Sequence, residues 1–183
     1  MTALLDSSKY VREHIRMVPD FPKKGIMFLD ITTAVKDAQA MQIMTDYLYE
    51  QFKDKKVDYV AGIESRGFIF GAALAYKLNC GFITIRKPNK LPAKTIKEDY
   101  TLEYGTNTIE IHEDAINKGD KVVVIDDLLA TGGTALAACR LIKRIGAEVV
   151  ATAFIIELNK LKGREKIESE GFKVVSMLDY DLD

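Results

Sequence analysis

The run from Val122 to Thr134, VVVIDDLLATGGT, sets Asp126 and Asp127 side by side between an apolar segment and a hydroxyl-rich double glycine. Neighbouring carboxylates accept hydrogen bonds from the hydroxyls of a sugar. Thr131, Gly132, Gly133 and Thr134 offer what a small dianion needs: hydroxyl donors, close backbone approach, and the N–H groups at the positive end of a helix that opens there. Each charge-assisted hydrogen bond to a phosphate is worth ~1.5–3 kcal/mol, and the helix dipole adds ~0.3–1 kcal/mol. Carboxylates one short loop away temper the binding of bare phosphate, so the two halves together describe a sugar phosphate. The run matches neither GxxxxGK[ST] nor GxGxxG, the motifs of the common nucleotide-binding loops.

A second charged turn, Glu64-Ser65-Arg66-Gly67, follows the apolar segment YVAGI, and Arg86, Lys87 and Lys90 open a long polar stretch. Read as surface chemistry, Glu64 and Arg66 form an ion pair worth less than ~1 kcal/mol, and the three cations form a solvated face. The place of Glu64 to Gly67 at a strand's carboxyl end favours a site instead, because ligands of parallel sheets bind there.

These turns need elements to hold them. Asp6 is expected to cap a helix running to about Arg16, followed by a loop at VPDFPKKG. Asp37 is expected to cap a second helix, with Met41, Met44, Tyr47, Leu48 and Phe52 on one core face. From Tyr59 the chain repeats strand, turn, helix: YVAGI into FIFGAALAYKLN into GFITIR, KVVVID into TALAACRLIKRIG into EVVATAFIIEL, then LKGREKIESEG into FKVVSML. Continuous apolar strands alternating with helices indicate an α/β fold with a parallel sheet covered on both faces. Asp126 and Asp127 are expected to end their strand. Between the units, the alternation of Tyr100, Leu102 and Tyr104 with Thr101 and Glu103, and of Ile109 and Ile111 with Glu110 and His112, predicts a hairpin bending at Gly105, Thr106 and Asn107.

The 183 residues, 48% of them hydrophobic, suit one domain over 1–183 with a sizeable core. With 26 Lys plus Arg against 27 Asp plus Glu, the net charge of −1 offers no bulk attraction to nucleic acid or an anionic membrane, so anions must be caught locally. Cys80 and Cys139 belong to no metal or redox motif, His14 and His112 have no ligand partners at useful spacing, and no apolar run reaches membrane-spanning length. A cytoplasmic, reducing compartment is expected.

The Val122–Thr134 run resembles the phosphoribosyl pyrophosphate (PRPP) signature of the type I phosphoribosyltransferases. With VPDFPKKGIMFLDIT, YVAGIESRGFIFG, IRKPNKLP, YTLEYG and IELNKLKGREK in the same order, nearly the whole chain is similar to the adenine-specific family. The resemblance implies the type I phosphoribosyltransferase fold, with a base-binding N-terminal hood over about 1–36 and a flexible hairpin lid over about 87–113. It implies transfer of 5-phosphoribose from PRPP to adenine, giving AMP and pyrophosphate, with Mg2+ held mainly by PRPP or pyrophosphate oxygens and water, in a homodimer. Protein ligands to the metal stay unassigned.

By that similarity Ala130, Thr131, Gly132, Gly133 and Thr134 hold the 5-phosphate, and Asp126 and Asp127 the ribose hydroxyls. Ser65, Arg66, Arg86 and Lys90 receive pyrophosphate, Arg86 reaching toward the neighbouring subunit, while Lys87 stays on the surface. Phe28 and Leu128 cover the two faces of the purine, and the backbone of Met27 and Leu29 runs along its edge. Leu29 stands where many family members carry a basic residue. Glu103 is the catalytic candidate, acting at purine N7 or by charge on the ribose cation. A non-proline cis peptide is implied between Glu64 and Ser65. An edge offering one C=O and one N–H matches adenine and mismatches hypoxanthine and guanine, a distinction worth ~10⁴–10⁵ when such bonds decide binding. The rival readings are a transferase for another purine and a PRPP-sensing regulator; a regulator would carry a DNA-binding module, and the first 58 residues show no helix-turn-helix pattern.

Overall fold

The computed structural model describes residues 2–102 and 105–182, and side chains at 7–100 and 106–182. The chain opens with α1 (Thr2–His14), β1 (Arg16–Pro19), β2 (Met27–Asp30) and α2 (Thr32–Lys36). Helix α1 begins before Asp6 and ends before Arg16, so Asp6 lies inside the helix and does not cap it. Strands β1 and β2 pair antiparallel, Arg16 opposite Asp30 and Pro19 opposite Met27, so Val18 and Pro19 belong to a strand and the loop is shorter than VPDFPKKG. Arg16 and Asp30 stitch the strand ends through Nε at 3.1 Å and Nη2 at 2.5 Å.

Helix α3 (Ala38–Phe52) starts where Asp37 accepts a hydrogen bond from Ala40 N at 2.8 Å, the expected cap. Its Met44, Leu48 and Phe52 are fully buried, and Met41 and Tyr47 pack at the margin of the same core. Five parallel strands then form the central sheet: β3 (Tyr59–Ile63), β4 (Gly81–Ile85), β7 (Lys121–Leu129), β8 (Glu148–Leu158) and β9 (Val174–Tyr180), in the order β4-β3-β7-β8-β9. Between them run α4 (Gly67–Leu78), the antiparallel pair β5 (Thr95–Leu102) and β6 (Gly105–His112), α5 (Gly133–Ile145) and α6 (Gly163–Glu168).

Both faces of the sheet are buried, and β7 shows why its residues are apolar without alternation. Val123 and Ile125 face the core shared with α3 and α4, while Val122 and Val124 face the core shared with α5, Ile109 and Ile111. Helix α4 packs closely on β3 and β4 because Gly71 leaves room for Phe82; a Cβ there would stand 2.6 Å from the ring.

One expectation about the strands needs correction. Pairing in the β5–β6 hairpin runs on to Leu102 opposite Gly105, so Gly105, Thr106 and Asn107 lie inside β6 instead of forming the bend. Glu110, which alternates with Ile109 and Ile111, is nevertheless 2% exposed, and its backbone pairs with that of Arg86. Lys97, its cross-strand partner, supplies the counter-charge at 2.9 Å.

Candidate active site

Strand β7 carries the acid pair past the end of β3. Pairing with β3 stops at Ile125 opposite Gly62, whereas pairing with β8 continues to Leu129, so Asp126 and Asp127 lie within the strand and do not end it. One edge of β7 is thus uncovered where the carboxylates sit. Asp126 accepts the Asp127 N–H at 2.9 Å, and burial followed by the charge of Asp127 pushes its carboxyl well above the ordinary range. Asp127 is buried and paired with the Arg66 guanidinium. Burial opposes the charge on Arg66, but Asp127, Asp126 and Asp30 outweigh it and raise its pKa.

Beyond Leu129, residues Ala130 to Thr134 wrap a hollow of about 90 Å³ that Asp126, Leu128 and Phe154 also line. Gly132 stands at φ +75° as the N-cap of α5, a left-handed conformation that favours glycine, so the helix's first N–H groups face the hollow. All of the expected 5-phosphate residues therefore converge. Sequence reasoning missed what braces them. Gly163, at the start of α6, packs against this loop so closely that a Cβ on it would come within 2.2 Å of Ala130 O, 2.8 Å of Leu129 Cδ1 and 3.0 Å of Gly132 N. Arg164 anchors α6, donating to Glu157 from Nε at 2.9 Å and to Ser176 Oγ at 2.9 Å. The glycine in LKGREK was the available signal.

Glu64 and Ser65 are joined by a cis peptide, and Gly67 opens α4 directly against β7, where a Cβ would stand 2.5 Å from Ile125 O. Arg66, next in the turn, reaches the acid pair. The ion pair imagined between Glu64 and Arg66 does not form; Arg66 takes Asp127, and Glu64 takes Arg86 Nε at 3.1 Å and Lys87 N at 3.0 Å. Burial works against the Glu64 charge, yet the Lys87 amide and the Arg86 guanidinium outweigh it and hold the carboxyl below its ordinary value. Arg86 Nη1 reaches the Lys90 carbonyl at 3.3 Å, which ties the Arg86 side chain to the Lys90 backbone. Lys87 has an exposed side chain.

A larger cleft of about 510 Å³ lies under the N-terminal segment, lined by Val18, Phe21, Phe28, Leu29, Ile31 and Arg66 among others. Phe28 meets Phe21 edge to face with ring centroids 5.1 Å apart. Leu29 is 3% exposed and belongs to the core, where it forms part of the cleft's floor. Asp30 lies beside Arg66 at the rim, its pKa lowered to about 2 by Thr32 first and by Arg16. Leu128 lines the phosphate hollow instead of this cleft, and Met27 is half-buried in β2 away from the lining, so only Phe28 and Leu29 of the expected base contacts meet here. Glu103 lies outside the described residues.

An apolar cleft, an acid pair and a phosphate-sized hollow thus follow one another along the carboxyl end of the sheet, with Arg66 touching the first two. Comparison with known proteins agrees with this arrangement. The model of the phosphoribosyl transferase domain matches residues 32–181. An adenine phosphoribosyltransferase of Koribacter versatilis is 52% identical over 171 residues, covering 93% of each chain. The crystal structure of adenine phosphoribosyltransferase from Thermoanaerobacter pseudethanolicus superimposes with a TM-score of 0.90 at 46% identity, covering 94% of this chain and 99% of that one. The Saccharomyces cerevisiae enzyme, complexed with D-2,5-dideoxy-2,5-imino-altritol 1,6-bisphosphate and adenine, gives 0.88 at 36% identity, covering 95% and 99%. Similarity of this degree, over nearly the full length of both partners, makes the chain a member of the adenine phosphoribosyltransferase family, with the type I phosphoribosyltransferase fold.

Proposed function

We propose that the protein is a purine-salvage enzyme that transfers 5-phosphoribose from PRPP to adenine, giving AMP and pyrophosphate. The observation that carries this reading is the placement of Asp126 and Asp127 between the apolar cleft and the phosphate hollow, linked to the cleft by Arg66. A ribose bridging those spaces puts its 5-phosphate on Ala130 to Thr134 and its hydroxyls on the two carboxylates. Its C1 then faces the cleft and the turn bearing Ser65 and Arg66. The purine enters the cleft against Phe28 and the backbone of Leu29, the two expected base contacts that line it.

Reaction exchanges one bond at C1 for another: the bond to the pyrophosphate oxygen breaks, the bond to N9 forms, and the N9 proton is lost. Ser65, Arg66, Arg86 and Lys90 receive the leaving pyrophosphate, and their charges stabilise negative charge as it develops. Release of Arg66 to pyrophosphate would leave Asp127 open to the ribose. Glu103 serves the base side, by proton transfer at N7 or by charge on the ribose cation. Among the described residues no cluster of His, Cys, Asp or Glu forms a dedicated cage, and one or two carboxylates near substrate phosphates are the donor set that suits Mg2+. Asp126 and Asp127 fit a metal held mainly through substrate oxygens and water, where it would neutralise pyrophosphate charge.

The hairpin segment over about 87–113 acts as the lid and the segment over about 1–36 as the base-binding hood of a single domain. An exposed stripe on α4, Ile69, Ala72 and Tyr76 at helical spacing, supports a homodimer, since Tyr76 is 87% exposed and the other two are apolar. The free thiols Cys80 and Cys139 support a cytoplasmic setting. No helix among the described residues is long and apolar enough to cross a membrane. The test is direct: incubation with PRPP, Mg2+ and each purine in turn should yield AMP from adenine alone. Formation of IMP, GMP or XMP without AMP would refute the base assignment.

A further inference from the structure

Glu64 stands at the mouth of a site that must bind a highly charged anion, and its carboxylate repels that anion. A negative side chain in this place needs a second reason to be there. The geometry supplies one. Glu64 N donates to Ile85 O at 2.9 Å, fixing the residue to the end of β4, and its Oε2 accepts from Arg86 Nε at 3.1 Å and Lys87 N at 3.0 Å. The backbone of Arg86 is held on its other side by Glu110, through bonds of 2.9 and 2.7 Å. What remains free in Arg86 is its long side chain, which carries about 2 kcal/mol of rotamer entropy.

Three contacts remove that freedom. Oε2 of Glu64 takes Nε, the Lys90 carbonyl takes Nη1 at 3.3 Å, and the guanidinium carbon lies 5.8 Å from the centre of the Phe68 ring. The Lys87 amide on the same carboxylate oxygen ties the first residue of the lid segment to the turn that carries Ser65 and Arg66. Glu64 is one peptide from Ser65, so the same residue borders both groups of proposed pyrophosphate contacts.

We propose that Glu64 is a positioning residue for pyrophosphate: it aims the Arg86 guanidinium and joins the base of the lid to the Ser65–Arg66 turn. The proposal rests on the reading of Arg86 as a pyrophosphate contact. It predicts a sign opposite to simple electrostatics, under which removing an anion from an anion site tightens binding.

The test measures affinity for Mg2+–PRPP and for Mg2+–pyrophosphate by titration calorimetry, with melting temperature recorded for every variant. Glu64→Ala should weaken both ligands about tenfold, the worth of one hydrogen bond to a charged group, and leave the KM for adenine unchanged. Glu64→Gln keeps an acceptor for the Lys87 amide and loses the charge on Arg86; it should be intermediate, and it carries the test if the Ala variant does not fold. In an Arg86→Ala background, Glu64→Ala should add no further loss, whereas a merely structural role would leave the two losses additive. Unchanged or tighter binding by both Glu64 variants, beside weakened binding by Arg86→Ala, would overturn the positioning role alone. Unchanged binding by Arg86→Ala would instead remove the Arg86 assignment and this proposal with it.

Discussion

Replacing Gly163 by alanine should damage the PRPP site far more than the fold. Gly163 lies at the first position of α6 without a positive φ, so alanine suits its backbone and is the better helix former by ~1 kcal/mol. Space decides the outcome. The new Cβ would reach 2.2 Å from Ala130 O, whereas ordinary contact begins at 3.4 Å, so about 1.2 Å must be made up. The loop cannot slide sideways freely, since a Cβ built on Gly132 would already meet Gly163 O at 2.8 Å and the two backbones lie in contact. Retreat of Ala130 to Gly132 moves the phosphate donors, and a ~1 Å misplacement costs on the order of 100-fold in rate. Overpacking costs ~1–3 kcal/mol, or a fall in melting temperature of ~2–12 °C for a chain of this size. Steady-state kinetics with varied PRPP and varied adenine, beside thermal melts, separate these effects. Ile167→Val serves as the control: it trims a fully buried side chain in the same helix, should cost ~0.5–1.5 kcal/mol, and should leave the KM for PRPP alone. A folded Gly163→Ala enzyme with wild-type kinetics toward PRPP would refute the idea that this glycine braces the phosphate loop.

Asp126→Asn should weaken PRPP binding ~10- to 150-fold by losing charge-assisted bonds to the ribose. It should also raise the melting temperature near neutral pH: a carboxyl raised above 3.8 by burial and by Asp127 favours folding only while protonated, so the wild type loses stability as pH climbs from 3.8 through the raised folded value. A gap between mutant and wild type that fails to widen with pH over that range would contradict this. Glu103→Ala should slow the chemical step in single-turnover kinetics while PRPP affinity by titration stays near wild type; a normal chemical step would make Glu103 a solvated hairpin residue. Tyr76→Lys combined with Ile69→Lys should convert a dimer to a monomer in sedimentation velocity, and a wild-type monomer at micromolar concentration would rule out the dimer.

What the sequence determined by itself was local. The apolar runs of β3, β7 and β8 required burial on both faces, and Asp37 three residues before Ala40 required a cap, because strand and helix periodicity act over a few residues. Asp126 to Thr134 are neighbours along the chain, so a strand followed by a helix N-terminus could place acids and phosphate donors only side by side. The tertiary structure decided which distant groups those residues meet. Arg66 reaches Asp127 across 61 residues, Glu64 takes Arg86 in place of Arg66, and Gly163 closes on a loop that ends at Thr134. The neighbouring charge in the turn suggested Arg66 as the partner of Glu64, but Arg66 pairs with Asp127 on β7 instead. Glu110 alternates like an outward residue yet is buried, since alternation names the two faces of a strand but not what will cover each. The bend of the hairpin followed the same logic: Gly105 to Asn107 have turn chemistry, but cross-strand pairing from Thr95–His112 to Leu102–Gly105 gains more than an earlier turn would, and register is settled by the partner strand.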